Sequence, residues 1–509
     1  MTGNGDRPIF FDPDNRRWPR LRRGVFLSAL IVSVLFASLI ISVLITPILP
    51  ALNLPPSQFL PAGARVAPPR PEPLLTKHQR ALREAKHKLE LERSKKRTAV
   101  VERVASPLSG QDPVTAAFYV NWDESSFSSL KENIANPECK LDLVIAESLH
   151  LKSAEGELKE DDPAREREMA DMVRATRPDI RLMALVNNFN GHDWEDQILG
   201  QMLANPEGRA NVIRQLVDYA GSRNYGGVSI DFENLPAESR SALVEFMKEL
   251  NAAAKNSGLT VSINVPADNN DFDYTALSAL VDYVILMAYD QHWSSKDIGP
   301  VSGLDWFTDI LRIRQADVPP SKLIVAIGNY AYDWKVGSYP ETKTFEDTVL
   351  TARDSEGRIS VDPNSLNPTF DYVEGEGAGE EKHQVWMLDA VTAFNQVAVA
   401  RSFGARGIAL WRLGSEDPSV WTFFGSSAPL DAGAAANLAQ VRYGYGLDYE
   451  GRGEILRISA EPQVGHRAIS FDSTRGFIVG ETFTAFPSPY VITRYGGAEK
   501  KIALTFDDG

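Results

Sequence analysis

Cysteine is nearly absent from these 509 residues: Cys139 stands alone, so no intrachain disulfide can form. No His-Glu-x-x-His array or cysteine cluster occurs, so metal binding is not the first explanation for any polar group. An excess of positive charge is missing too. The 68 Asp and Glu outnumber the 53 Lys and Arg, giving a formal net charge of −15. Phosphate binding needs a coherent basic surface, so nucleic acid is not an expected partner. At 43% hydrophobic and 24% charged residues, the chain is neither disordered nor membrane-embedded throughout, and its length allows more than one folded unit.

One segment departs from this average. Residues 24–45 form an unbroken run of apolar or small residues, long enough to cross a bilayer as a helix. Arg16, Arg17, Arg20, Arg22 and Arg23 precede it, whereas residues 46–64 carry no Lys or Arg. This asymmetry predicts a cytoplasmic basic tail over 1–23, a single-pass transmembrane helix in an inner or plasma membrane, and a body on the periplasmic or extracellular side. Residues 46–114 read as a proline-rich spacer followed by a charged stalk helix.

Orderly patterning begins near residue 115. Apolar runs at 116–122, 141–145, 181–186, 227–230, 259–265, 283–288, 322–327 and 407–411 alternate with helical segments such as 211–219, 237–256 and 390–403. Eight buried-type strands with intervening helices predict an α/β fold, a (β/α)8 TIM barrel over 115–426. An insertion is expected after the seventh strand, at about 333–382, with a hairpin signal at 355–361. A small β-rich region is expected over 427–499, its strands near 453–459, 467–471, 476–481 and 490–495.

The chemistry concentrates at the strands' C-terminal ends. Tyr225-Gly-Gly-Val-Ser-Ile-Asp-Phe-Glu233 places Asp231 and Glu233 two residues apart, on one face of an extended segment. A carboxylate beside a second carboxyl disfavours ionisation of the second, so Glu233 is the better proton donor and Asp231 the orienting partner. Tyr289 and Asp290 end the sixth strand and Trp411 ends the eighth. A tyrosine hydroxyl can donate to a sugar acetamide, and a tryptophan face can floor a pyranose ring. Glu147, Asn187, Asn264 and Asn329 stand where they could bind sugar hydroxyls or satisfy buried backbone.

Together these residues resemble the catalytic barrel of glycoside hydrolase family 18, whose fourth strand carries Asp-x-x-Asp-x-Asp-x-Glu. Glu233 falls at the acid position and Asp231 at the preceding aspartate, whereas Ser229 and Gly226 replace the two earlier aspartates. Met287-Ala-Tyr-Asp290 and Trp411 match as well. Val385-Trp-Met-Leu-Asp389 followed by 407–411 is similar, more narrowly, to spore-cortex peptidoglycan glucosaminidases. The resemblance implies a substrate-assisted retaining glycosidase acting on N-acetylglucosamine-containing polysaccharide, with Glu233, Asp231 and Tyr289 catalytic. Trp411, Asp290, Met287, Asn264, Asn187, Glu147 and Asn329 would bind substrate, with no cofactor in the barrel. The departures at Gly226 and Ser229 leave open a noncatalytic glycan-binding barrel.

Residues 500–509 read as a strand opening another domain. Thr505-Phe-Asp-Asp-Gly509 resembles the first motif of carbohydrate esterase family 4, the polysaccharide deacetylases, and implies a truncated deacetylase module. Asp507 would be its catalytic base, and Asp508 a ligand to a divalent metal only if the rest of that module follows. The resemblance implies the N-terminal portion of a larger envelope protein, in which a deacetylase module and then a glycosyltransferase module would follow.

Overall fold

The computed structural model describes residues 113–294, 297–375 and 380–496. Its central sheet contains β1 (Val114–Val120), β2 (Leu143–Leu151), β3 (Arg181–Asn187), β4 (Gly227–Asp231), β5 (Thr260–Pro266), β6 (Tyr283–Met287), β7 (Leu323–Gly328) and β8 (Gly407–Trp411). Each pairs in parallel with the next, and β1 pairs with both β2 and β8, which closes the sheet into a barrel. An open doubly wound sheet could not make the β1–β8 pairing.

The strands are near-continuous apolar runs because both of their faces are covered. β1 shows the division: Ala116 and Phe118 point into the barrel interior with Ile145, Met183, Leu185 and Ile324. Ala117 and Tyr119 point outward into the layer shared with the helices. That is the two-residue period of a strand with a core on each side. The helix Arg240–Asn256, between β4 and β5, buries Leu243, Phe246, Met247, Leu250 and Ala254, the spacing of a single stripe laid on the sheet.

The helix Ala390–Ser402 is different, being buried at every position from Ala390 to Ala400. Strand Phe477–Ala485 of the C-terminal region covers the side that would otherwise meet solvent. Asn395 clips the two together, its Nδ2 donating to the Ile478 carbonyl and its Oδ1 accepting from the Ile478 N–H, both at 2.8 Å. The C-terminal region forms two small sheets. One orders Gln440–Val441, Gly465–Asp472 and Phe477–Ala485; the other orders Leu447–Gly451, Tyr490–Tyr495 and Ile455–Ala460.

The insertion after β7 is a five-stranded antiparallel sheet, ordered Glu341–Lys343, Ala331–Lys335, Glu381–Met387, Pro368–Glu374, Ser360–Val361, with the helix Phe345–Asp354 on it. The hairpin signal at 355–361 resolves differently from expectation. Ser360–Val361 pairs with residues 368–369 across a longer loop, because residues 345–354 continue as helix up to the turn at Glu356 (φ 55°).

The expected transmembrane helix is corrected. Among the described residues no helix is long and apolar enough to cross a membrane. The helices Pro206–Ser222 and Arg240–Asn256 reach 17 residues each but carry charged faces, whereas a span needs about 20 mostly apolar residues. Residues 24–45, on which that expectation rested, lie outside the described residues, as does the stalk. The single-pass topology, the membrane partner and the exoplasmic placement of the barrel therefore have no element in the described fold to carry them.

Candidate functional site

Asp231 is the last residue of β4 and lies opposite Asn187 of β3. Only 4% of Asp231 is exposed, and its Oδ1 has no hydrogen-bond partner in the protein. Burial pushes its carboxyl up to about 7; the Asn264 side chain partly offsets this and the charge of Glu147 adds to it. Asn264 Nδ2 makes no regular hydrogen bond, so its influence on Asp231 is that of a nearby dipole. Glu233 is pushed well above the usual carboxylate range by burial, then by the charges of Asp231, Asp290 and Glu147. Four acidic side chains thus share one region and cannot all be ionised near neutral pH.

The position of Glu233 is set from outside its own strand. Asn188 Oδ1 accepts from the Glu233 N–H at 2.9 Å, and Asn188 Nδ2 donates to the Glu233 carbonyl at 3.0 Å. Asn188 itself is fully buried, so both halves of its amide are committed to this one peptide.

Aromatic rings gather at the ends of neighbouring strands. Tyr289 and Trp411 stack with centroids 6.4 Å apart at 19°, and Trp411 meets Phe118 edge-on at 5.1 Å. Met287, Tyr330, Tyr332 and Trp386 belong to the same packed cluster. Burial, followed by the charges of Asp290, Asp231 and Glu233, raises the Tyr289 hydroxyl well above its usual value, so it remains a donor. Asp290 sits at φ 60° and accepts from the Tyr330 hydroxyl and, at 2.8 Å, from the Tyr332 hydroxyl. It keeps solvent-facing surface, yet the protein packed around its carboxyl raises it.

The structure sorts the residues expected from sequence. Asp231, Glu233, Tyr289, Asp290 and Glu147 share an electrostatic neighbourhood, and Met287 and Trp411 adjoin it through the aromatic cluster. Asn264 faces Asp231. Asn187 is committed elsewhere, its Oδ1 contacting His150 Nδ1 at 2.7 Å and accepting from the Phe189 N–H. Asn329 serves the chain after β8: its Oδ1 accepts from the Asp417 N–H at 2.7 Å and its carbonyl from the Ser415 hydroxyl. Asp507 and Asp508 lie outside the described residues.

Sequence reasoning left Asn188, Tyr332 and Trp386 out of the site. Tyr332 had a signal: Tyr330-Ala-Tyr332-Asp-Trp334 alternates aromatics with the period of a strand, which places all three on one face. Asn188 had only its place at the C-terminal end of a strand, because its role depends on its distance from residue 233.

The two departures from the aspartate pattern have local causes. A Cβ at Gly226 would lie 2.5 Å from Arg181 Cγ, so a larger residue there requires Arg181 to move. Ser229 is fully buried; its hydroxyl accepts from Ser262 at 2.9 Å and donates to Asn264 Oδ1 at 3.4 Å. A neutral hydroxyl chain therefore lies behind Asp231 in place of a charge.

Stability should carry the imprint of Asp231. Its folded pKa of about 7 exceeds the usual unfolded value of about 3.9, so its contribution is fully present below about pH 4 and lost as pH rises through about 7. Asp231→Asn removes this dependence. Urea midpoints of the variant should fall less between pH 5 and pH 7.5 than those of the unaltered protein; equal falls would contradict the assignment.

Among the described residues, Glu374, Glu381 and His383 on the insertion sheet form a group whose potential ligand atoms lie within 4.8 Å of one another. Lys335 pairs with Glu381, and Asp333 holds His383 Nδ1 at 2.8 Å.

Comparison with known proteins agrees with this geometry. The family model described as "Glycosyl hydrolases family 18" matches residues 114–417, more than half of the chain. YdhD of Bacillus subtilis (strain 168), whose assignment as a sporulation-specific glycosylase is provisional, is 28% identical over 242 residues. The match covers 45% of this chain and 57% of YdhD. The cortical fragment-lytic enzyme of the same organism is 24% identical over 255 residues, covering 47% of this chain and 58% of that one. Little more than half of either relative is therefore matched. Among solved structures, the chitinase from Chromobacterium violaceum ATCC 12472 has a TM-score of 0.55 at 25% identity, over 61% of this chain and 96% of that one. The Bacillus cereus spore cortex-lytic enzyme SleL shares the fold with a TM-score of 0.54 at 22% identity, over 62% and 74% respectively.

Proposed function

This chain belongs to glycoside hydrolase family 18, and from that premise we propose that it cleaves β-linked polysaccharide containing N-acetylglucosamine, by a retaining mechanism assisted by the substrate's own acetamide. The observation that carries the reading is the Glu233 carboxyl, whose ionisation is opposed by burial and by the charges of Asp231, Asp290 and Glu147, at the end of the barrel where Tyr289 stacks on Trp411.

In the proposed reaction Glu233 gives its proton to the glycosidic oxygen as the bond from that oxygen to the anomeric carbon breaks. The acetamide carbonyl oxygen bonds to the anomeric carbon and forms an oxazolinium ring. Asp231 and the Tyr289 hydroxyl hold the acetamide, Asp231 on its N–H and Tyr289 on its oxygen. Water then attacks the anomeric carbon and gives a proton to Glu233 while the bond from that carbon to the acetamide oxygen breaks and the acetamide re-forms, which restores the acid and retains configuration. Trp411 would floor the sugar ring. Every step runs through residues of this chain and the substrate.

The resemblance of residues 385–389 and 407–411 to spore-cortex glucosaminidases favours peptidoglycan glycan as the first polymer to test, and the likeness to a chitinase makes chitooligosaccharide the second. A deacetylase activity would rest on residues 505–509 alone, and the proposal is confined to the glycosidase. The test is release of reducing ends from both polymers by the full chain, with Glu233→Gln as control. Release that depends on Glu233 supports the reading; glycan binding with no such release would establish a binding barrel instead.

Asn188→Ala provides a second check. Both hydrogen bonds that place the Glu233 peptide disappear, so kcat should fall about tenfold or more while KM changes little, since geometry at the reacting atoms is affected more than sugar contacts. A rise in KM at unchanged kcat would assign Asn188 to binding.

A further inference from the structure

The insertion sheet has two unlike faces. Residues paired across adjacent strands share a face, so Ala331, Asp333 and Lys335 lie with Phe370, Tyr372, Glu374, Glu381, His383, Val385 and Met387. Tyr332 and Trp386 lie on the other face, with the aromatic cluster at the barrel mouth. On the first face Phe370, Val385 and Met387 pack with Phe345 and Val349 of the helix Phe345–Asp354. That apolar cover ends at Tyr372, and a polar group occupies the outer end of the strands.

His383 is the fixed member of this group. Its side chain is 11% exposed, its ring stacks on Tyr372 at 4.6 Å and 26°, and its Nδ1 lies 2.8 Å from Asp333 Oδ1. Asp333 is buried, and its Oδ2 accepts from the Tyr372 hydroxyl at 2.6 Å. A carboxylate only accepts, so Nδ1 carries the hydrogen and a neutral ring has its lone pair on Nε2. Nε2 is shielded from solvent and has no hydrogen-bond partner. It lies 3.6 Å from Glu374 Oε2, beyond hydrogen-bond reach, and Glu381 stands directly across the strand pair from Glu374. Lys335 Nζ donates to Glu381 Oε1, which leaves Oε2.

We propose that Glu374, Glu381 and His383 form a structural site for a divalent cation of the zinc class, which ties together the outer ends of strands Pro368–Glu374 and Glu381–Met387. One imidazole nitrogen and two carboxylates are ligands that zinc accepts, with water completing the shell. The spacing fits as well. Tetrahedral bonds of about 2.0–2.2 Å put ligand atoms roughly 3.3–3.6 Å apart. The three potential ligand atoms lie within 4.8 Å of one another, with Nε2 and Glu374 Oε2 at 3.6 Å. Glu374 has a side chain 69% exposed, so it can close on the ion without disturbing packing. Asp333 has the place of the carboxylate that orients a metal-bound histidine through its other nitrogen. A ring protonated on both nitrogens would instead leave the Nε2 hydrogen buried without an acceptor. The site faces away from the barrel mouth, so its role is to hold the insertion, and it stands independently of the glycosidase reading.

The test is titration of the chelator-treated full chain with zinc chloride, followed by calorimetry. One equivalent should bind saturably, and Glu374→Gln and His383→Gln should each weaken that binding about tenfold or more. Glu341→Gln changes an exposed carboxylate of the same sheet outside the group and should leave the affinity unchanged. Saturating zinc should also raise the urea midpoint of the unaltered chain more than that of Glu374→Gln. Should His383→Gln fail to fold, the surface change Glu374→Gln decides alone. Absence of saturable binding, or binding that Glu374→Gln does not weaken, overturns the proposal. Equal weakening by Glu341→Gln overturns it too, since it would mean attraction to surface charge.

Discussion

Glu233→Gln should lower hydrolysis by about 10²–10⁴-fold, the usual contribution of a positioned general acid, and leave glycan binding close to that of the unaltered protein. Glutamine has the same shape but no proton to give, and the two hydrogen bonds from Asn188 go to the backbone of residue 233, so the substituted side chain stays in place. The loss should appear in kcat more than in KM, because proton transfer to the leaving oxygen exists only in the transition state. The change also removes a buried carboxyl whose ionisation burial and three acidic neighbours oppose. The variant should therefore be at least as stable as the original above neutral pH. Retained release of reducing ends would show that another group donates the proton.

The second large effect concerns stability and lies in the C-terminal region. Arg467, on strand Gly465–Asp472, has a fully buried guanidinium. Its Nη1 lies 2.9 Å from Asp417, 3.0 Å from Asp389 and 3.3 Å from Glu481, Nη2 donates to the Ser419 hydroxyl at 2.8 Å, and Nε donates to the Leu438 carbonyl. Asp389 caps the helix Ala390–Ser402, and Asp417 caps the turn after β8, so this one side chain joins the C-terminal sheet to two barrel elements. Arg467→Met leaves buried carboxylates without their cation and should cost about 3–5 kcal/mol near neutral pH. Burial and Asp389 already hold Glu481 well above the usual carboxylate range. Burial raises Asp389 as well, and its protonation removes part of the uncompensated charge, so the deficit should shrink as pH falls toward 5. Chemical denaturation at the two pH values measures this. A deficit below about 1 kcal/mol would mean that the region does not depend on the buried arginine.

Much of the barrel was legible in sequence because its strands are covered on both faces. Continuous apolar runs at 181–186 and 283–288 admit few other readings once helices separate them. The carboxylates were legible for a related reason: Asp231 and Glu233 end an apolar strand where no packing role calls for charge. Helix Ala390–Ser402 was found from composition but not its setting, since a helix buried on all sides has no polar stripe to orient it. The membrane-spanning expectation came from hydropathy and flanking arginines over residues that the structure does not describe, and no described helix supports it.

Sequence by itself determined the repeating strand–helix order, the paired carboxyls at 231 and 233, and the tyrosine and tryptophan at strand ends. All of these depend on spacing along one segment, which local periodicity preserves. Only the tertiary structure decided that the Oδ1 atoms of Asn187 and Asn329 are spent on His150 and on the chain after β8, and that Asn188 sets the Glu233 peptide. Those relations join residues 37 to 88 positions apart, and they exist because barrel closure brings distant strand ends together.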